Sequence, residues 1–343
     1  EVGGPETFDI WSKPALDGHG AAQTWHSSMP VALHSSTWCG DRAIAFLNNQ
    51  NENEPFCSWI SFPDPHHPFD CPVPWSTMYH IDEVDLPIEG KKDLDSRPWW
   101  HRASLESEPN LADPQLKFFR AKLSRSEDQT EIQLREMTAN YFGMISLIDH
   151  NVGRIVYELK RLGLDKNTVI IYSTDHGDLL GDHGLYLKGP TPYEGLLRVG
   201  LIINGTNIPS NQVIKEPVST LDIPATICDL AGVKLPSTAQ SKTLLPVIKN
   251  KATRDVAHSE WKVNASRCGV ELELLTVRTK EAKLTIEKNS GAGEMYNLAD
   301  DPHEMNNLYE DNSNSHLKKE LIEMISERPG KKLDKFDEPV GMA

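Results

Sequence analysis

T-V-I-I-Y-S-T-D-H-G-D, residues 168–178, is the stretch that decides the fold. Thr168 through Tyr172 form a nearly unbroken β-branched run, the composition of a strand buried on both faces of a parallel sheet. Upstream, Leu134, Met137, Tyr141, Ile145, Ile148, Val152, Ile155, Val156 and Leu159 recur at the spacing of one buried helical face over 131–162. Gly163 follows as a C-terminal stop. Helix, short turn and buried strand make half of a βαβ unit. In open sheets of this kind, ligands sit beyond the carboxyl ends of the strands, here at residues 173–178.

Working outward, residues 199–203 read as a second buried strand, and S-T-L-D (219–222) caps a helix that ends at Gly232. Beyond about residue 252 the pattern changes to short strands at 254–261, 274–279, 283–287 and 294–298, then a helix over 316–325. Toward the N-terminus, P-F-C-S-W-I-S-F (55–62) reads as a strand running into P-D-P-H-H-P (63–68), a loop that its prolines make rigid. Residues 82–128 are charged and proline-punctuated, a peripheral excursion partly helical near 116–123. The expected architecture is α/β, a large mixed, mostly parallel sheet flanked by helices. A main domain over 1–252 is followed by a small antiparallel sheet-and-helix subdomain over 253–343.

The chain has 343 residues, with 35 Lys and Arg against 50 Asp and Glu, a net charge of −15. That balance excludes nonspecific binding to nucleic acid or an anionic membrane, which needs clustered cations. No apolar run reaches the roughly 18–20 residues of a membrane span, and residues 1–25 do not form a secretory leader. The first residue is Glu1 and W-S-K (11–13) resembles mid-protein sequence, the mark of a processed chain or a fragment. The cysteines (Cys39, Cys57, Cys71, Cys228 and Cys268) form no CxxC pair, so a zinc ribbon is excluded and reduced, mostly buried thiols are expected. Asn204-Gly205-Thr206 and Asn264-Ala265-Ser266 are glycosylation sequons that matter only in a secretory eukaryotic setting, and the compartment stays open.

Asp175 and His176, side by side after a buried strand, could give a metal one carboxylate oxygen and one imidazole nitrogen, with Gly177 allowing a tight turn. An Asx turn in which Asp175 caps backbone amides is the equal alternative. Lys188 lies thirteen residues beyond Asp175 in an apolar context, where its ammonium can hold sulfate or phosphate as a point charge. Asp182 and His183 read as loop-fixing residues. His66 and His67, also after an expected strand, supply an imidazole able to protonate a leaving oxygen, if both strands open at one sheet edge.

Taken together, S-F-P-D-P-H-H-P-F (61–69), S-L-I-D-H-N-V-G-R-I (146–155), S-T-D-H-G-D-L-L-G-D-H-G-L-Y-L-K-G (173–189), P-V-S-T-L-D-I-P-A-T (217–226) and D-P-H-E-M-N-N-L (301–308) resemble the C-terminal part of a type I sulfatase of the alkaline phosphatase superfamily. The resemblance implies that Asp175 and His176 are two ligands of a single divalent metal, calcium first and manganese or magnesium as alternatives. It implies that Lys188 holds the sulfate and that His66 contacts it and assists the leaving group, with His67 next in line. The partner it implies is a small sulfated substrate of the arylsulfatase type, with homo-oligomerisation open.

The family reaction uses a formylglycine made from a C/S-x-P-x-R motif, which is not found here. Cys39-Gly40-Asp41-Arg42 and Cys71-Pro72-Val73-Pro74 do not fit, and Ser12-Lys13-Pro14-Ala15-Leu16 lacks the Arg. The nucleophile, half the metal shell and the first strand are therefore expected upstream of Glu1, and this chain alone is expected to be inactive. The rivals are a phosphonate monoester or phosphodiester hydrolase of the same superfamily, and a catalytically silent fragment or binding module. Trp99 and Trp100 could stack on a sugar or aryl ring, or belong to the core. With a bulk charge of −15, the positive potential that handles an anion must be local, at the metal, Lys188 and His66.

Overall fold

The computed structural model describes residues 18–51, 54–88, 94–106, 108, 110–118, 128–263 and 269–330. Cys268, the sequon at Asn264, the 11–16 segment and the 119–123 part of the expected helix lie outside the described residues. In chain order the main elements are α1 (Ser35–Asn48), α2 (Trp99–Glu106), α3 (Pro114–Phe118), α4 (Glu131–Arg161), β1 (Val169–Ser173), α5 (Glu194–Leu197) and β2 (Leu201–Gly205). They continue as α6 (Ile223–Leu230), α7 (Leu245–Ile248), β3 (Ala257–Val263), β4 (Leu272–Arg278), β5 (Ala282–Glu287), β6 (Gly293–Asn297) and α8 (Ser315–Ser326). The described residues fall into two units. One draws on Glu1–Lys92, Arg125–Ile170 and Asp178–Leu187; the other draws on Asp93–Ser124, Ile171–Gly177 and Lys188–Ala343.

The first unit is organised by α4, which starts where its capping box puts it. Thr130 Oγ1 accepts the Gln133 amide, and the Gln133 side chain accepts the Thr130 amide. It stops at Leu162, and Gly163 follows in the left-handed region at φ 71°. One face of α4 packs Ile155 and Leu159 against Ala43 and Leu47 of α1. Met137 and Met144 pack with Phe69, Cys71 and Leu187 in a second cluster. The helical face is narrower than its apolar spacing suggests, because Ile145 is left exposed while Glu136 is buried. The Glu136 carboxylate is satisfied by the amides of His19 and Ala21, which offsets the cost of burying it.

Residues 55–62, expected to be a strand, belong to no sheet among the described residues. Their exposed faces, Trp59 at 88% above all, leave only Phe56 and Phe62 packed inward. A β-prone composition makes a strand only where a neighbouring strand takes up its hydrogen bonds, and none is paired with it among the described residues. Likewise, among the described residues β1 pairs only with β2, so β1 is half-buried along its length rather than buried on both faces. The cysteine expectation also needs correction. Cys71 is buried, with burial pushing its thiol well above the ordinary range, but Cys57 is exposed and Cys39 and Cys228 are half-buried.

In the second unit β3–β4–β5–β6 form an antiparallel meander, as expected of the C-terminal segment, with Trp261 opposite Leu274, Thr276 opposite Thr285 and Lys283 opposite Tyr296. Leu275, Val277, Leu284 and Met295 point to one face and pack against Leu321 and Ile325 of α8. Trp100 of α2 packs against Leu272, Leu274 and Val263. Alternation alone would put Lys283, Thr285 and Glu294 in water, yet all three are buried. Glu294 takes hydrogen bonds from Tyr296 Oη (3.0 Å) and from His101 Nε2.

Burial pushes the Glu294 carboxyl up, but the His101 contact, the two hydrogen bonds and Arg97 outweigh it and hold it below the usual carboxylate range. A depressed folded value means that this stability is present above the unfolded pKa of about 4.3 and is lost as pH falls through the folded one. Glu294→Gln is expected to cost roughly 1.5–3 kcal/mol near neutral pH, the scale of a charge-assisted hydrogen bond. The deficit should shrink as pH falls below about 4, which thermal melts across roughly pH 3–8 would measure.

Candidate active site

β1 delivers the chain to residues 174–178 with its carboxyl end held. Thr174 Oγ1 accepts the Gly200 amide at 3.3 Å, tying the end of β1 to the residue before β2. The Asp175 Oδ1 atom accepts the His176 amide at 2.9 Å, which leaves Oδ2 as its outward oxygen. His176 Nδ1 lies 2.8 Å from the Gly177 carbonyl, so Nδ1–H donates there and Nε2 carries the lone pair. That Nε2 sits 3.4 Å from Asp175 Oδ2. Carboxylate oxygen and imidazole nitrogen thus share an edge, on side chains that are 86% and 36% exposed respectively.

Lys188 completes the group. Its Nζ lies 3.1 Å from His176 Nε2, donating to the lone pair. In sequence it follows Leu187, a residue 2% exposed and held at φ 61°. A left-handed non-glycine backbone costs on the order of 1–3 kcal/mol and persists where packing over-determines it. The loop before it is closed by Leu179 N–H to Leu187 O and Gly181 N–H to Leu185 O, with Leu179, Leu185 and Leu187 as buried anchors. Asp182 and His183 lie in a tight turn of this loop, with His183 buried and held at φ 57°.

Gly177 does a different job from the one its sequence suggests. Its φ is not in the left-handed region; the reason for glycine is space. A Cβ there would lie 1.9 Å from the Gly195 carbonyl oxygen, while its amide donates to Leu196 O at 3.0 Å. Side-chain volume is excluded because two main chains touch.

His66 and His67 belong to the first unit. The 63–66 turn is closed by the His66 amide on Pro63 O at 3.2 Å, and the two imidazoles stack at 4.0 Å. His66 Nδ1 lies 2.5 Å from His67 O, which leaves Nε2 as its other polar atom. The strand that was to carry them to a common sheet edge is not formed among the described residues. Asp175, His176 and Lys188 are brought together; His66 and His67 form a separate stacked pair. Among the described residues no group of three or more His, Cys, Asp or Glu side chains is arranged to hold a metal. Asp175 and His176 are chemically fit for a divalent cation, an exposed hard oxygen beside an imidazole nitrogen whose lone pair Lys188 engages here, and would be two ligands of a larger set.

Of the two tryptophans, Trp100 is core and Trp99 is 41% exposed, its Nε1 donating to Ser290 Oγ at 3.0 Å. Trp99 lines an open cleft of about 450 Å³ with Leu94, Arg102, Ala103 and Glu106. Sequence reasoning assigned no role to Lys283, whose charge interrupts a strand, or to Pro192 and Glu194, which carry no motif. Glu304 was visible only as part of D-P-H-E-M-N-N-L.

A sequence model of the sulfatase family matches residues 15–233, and one described as N-sulphoglucosamine sulphohydrolase, C-terminal, matches residues 181–331. The chain is 29% identical over 299 residues to an arylsulfatase of Clostridium perfringens, covering 85% of this chain and 56% of that protein. It is 29% identical over 285 residues to a choline-sulfatase of Rhizobium meliloti, covering 79% of this chain and 51% of the other. The chain spans about half the length of these curated relatives. Its fold is similar to that of a phosphonate monoester hydrolase of Agrobacterium radiobacter, with a TM-score of 0.75 at 23% identity over 94% of this chain and 66% of that one.

Proposed function

The chain belongs to the sulfatase family, and from that premise we propose that it carries the metal- and sulfate-holding half of a sulfate monoester hydrolase of the arylsulfatase type. The observation that carries this reading is the convergence of Asp175, His176 and Lys188 at the end of β1. Asp175 and His176 would hold the divalent cation, calcium first, with manganese, which suits an imidazole ligand, or magnesium as alternatives. When bound, such a cation polarises the sulfate and stabilises the charge that grows on its oxygens.

The residues of this chain then have distinct tasks. The Nδ1–H of His176 is held by Gly177 O, so Nε2 is the ring nitrogen turned toward the cation's place beside Asp175 Oδ2. Lys188 holds a sulfate oxygen with its ammonium, a compact charge next to the cation's own ligand. By the same family reading His66, whose Nδ1–H is engaged at His67 O, is assigned the leaving-group proton, which Nε2 carries only in the imidazolium form of the ring, and His67 is its replacement. The nucleophile, a formylglycine, is assigned to sequence preceding Glu1, since no C/S-x-P-x-R occurs in the 343 residues.

The test uses the protein carrying its upstream segment, assayed with nitrophenyl sulfate, nitrophenyl phosphate and a phenylphosphonate ester, before and after chelation and readdition of calcium or manganese. Sulfate is expected to be turned over fastest, and chelation to abolish it reversibly. A dominant phosphonate rate would sink the sulfatase reading in favour of its rival. Residues 1–343 alone should release no sulfate; metal-dependent release from them would overturn the placement of the nucleophile.

A further inference from the structure

We propose that Lys283 and Glu304, a buried ion pair, are positioning residues for the Asp175–His176 loop, acting through the main chain of residues 192–196. The proposal rests on the metal reading above.

Lys283 of β5 is 1% exposed, on the sheet face where alternation would have put it in water. Its Nζ pairs with Glu304 and donates to Pro192 O at 2.6 Å. Glu304, also 1% exposed and held at φ 58°, accepts the Glu194 amide on Oε2 at 2.6 Å. Glu194 opens α5, and its N-cap Tyr193 offers no side-chain acceptor. The orphan amide of this helix start is therefore satisfied from a residue 110 positions away. Between these two anchors Tyr193 is buried against the rings of His101 and Tyr296, and Arg278 Nη2 reaches Glu194 Oε2 at 3.2 Å. Three consecutive residues, 192 to 194, are thus gripped by β4, β5, β6 and the 304 turn.

The grip is passed on without slack. Leu196 O accepts the Gly177 amide, and Gly195 O lies so close to Gly177 that no Cβ fits between. Gly177 O in turn accepts His176 Nδ1–H, the bond that sets which imidazole nitrogen faces outward. Each link from Glu194 to Gly177 is main chain, so a shift of α5 must reorient the Gly177 peptide and with it the His176 ring. A buried ion pair is a poor stabiliser compared with well-packed apolar side chains. Its value here is that both partners aim at fixed main-chain atoms of one segment, as supporting hydrogen bonds do around metal-ligating histidines.

The experiment compares Glu304→Ala with Tyr309→Phe in the protein carrying its upstream segment. Tyr309→Phe removes a 2.6 Å hydrogen bond to Gly291 O in the same sheet-and-helix region and touches no link of the chain. In metal-free protein, Glu304→Ala is expected to speed hydrogen exchange at the Gly177 amide by roughly tenfold or more. In Mn²⁺ titrations followed by electron paramagnetic resonance, it should weaken affinity by roughly 10- to 100-fold. Glu304→Gln, which keeps one acceptor for the Glu194 amide but leaves the Lys283 ammonium uncompensated, should recover only part of both. Tyr309→Phe should change neither. Unaltered Gly177 exchange in folded Glu304→Ala, or equal changes in Tyr309→Phe, overturns the proposal. Should Glu304→Ala not fold, the double variant Lys283→Met with Glu304→Gln takes its place: faster Gly177 exchange supports the proposal and unaltered exchange overturns it. A wild-type protein that binds no Mn²⁺ overturns the metal reading instead, and the exchange comparison still decides the clamp.

Discussion

Lys188→Ala, made in a form of the protein that includes the proposed nucleophile, is expected to lower kcat/KM for nitrophenyl sulfate by roughly 100- to 1,000-fold, the scale on which one group aimed at developing anionic charge acts. The same substitution should leave divalent metal affinity unchanged or raise it. The ammonium donates to His176 Nε2 at 3.1 Å, so it competes for the lone pair that a cation needs. Removing it frees a ligand and deletes a neighbouring like charge. The two readouts therefore move apart, turnover down and metal affinity not down. Parallel losses in both, measured by steady-state kinetics and Mn²⁺ titration, would show Lys188 to be structural. Lys188→Arg should rescue only part of the rate, since a planar guanidinium does not replace a compact ammonium.

Gly177→Ala is expected to abolish metal-dependent turnover and to destabilise the protein by roughly 1–3 kcal/mol, the usual cost of forcing an atom into a packed site. The new methyl would meet a carbonyl oxygen at 1.9 Å, and main chain cannot rotate away as a side chain would. Either the 174–178 loop lifts or α5 retreats, and each breaks the Gly177–Leu196 hydrogen bond. Gly153→Ala is the opposite case. It is exposed on α4, with no atom within 4 Å of a built Cβ, so alanine should stabilise by roughly 0.5–1 kcal/mol. Thermal melts of both variants, with activity at a temperature well below each midpoint, check the pair. A Gly177→Ala protein with wild-type turnover would refute the close-approach argument.

The grouping of Asp175, His176 and Lys188 in the candidate site was legible in the sequence because its parts are local. Asp175 and His176 are adjacent, and the β-branched run before them announces a strand end. Lys188 stands out by lying in an apolar stretch, and that stretch holds the buried anchors Leu185 and Leu187. The histidines at 66 and 67 are legible as residues but not in their setting. Their reading required a strand at 55–62, and composition cannot say whether a partner strand is there to pair with it. Gly177 reads as necessary in the sequence, but for the wrong reason, since a turn and a close approach leave the same mark there.

The sequence by itself determined the length and both ends of α4, the strand that follows it, and the antiparallel meander with its helix. Caps, stops and apolar period are interactions among neighbours in the chain, and they are written where they act. Only the tertiary structure decided that Lys283, Glu294 and Glu304 are buried, that Tyr193 is core, and that a carbonyl of α5 closes on Gly177. A charged residue on the polar face of a strand looks the same in sequence whether water or a buried partner satisfies it. What distinguishes the two is a second group supplied from far along the chain, Glu304 for the Glu194 amide and His101 for Glu294. That pairing is fixed by packing, because a buried polar group must find its partner in the fold once water has been excluded.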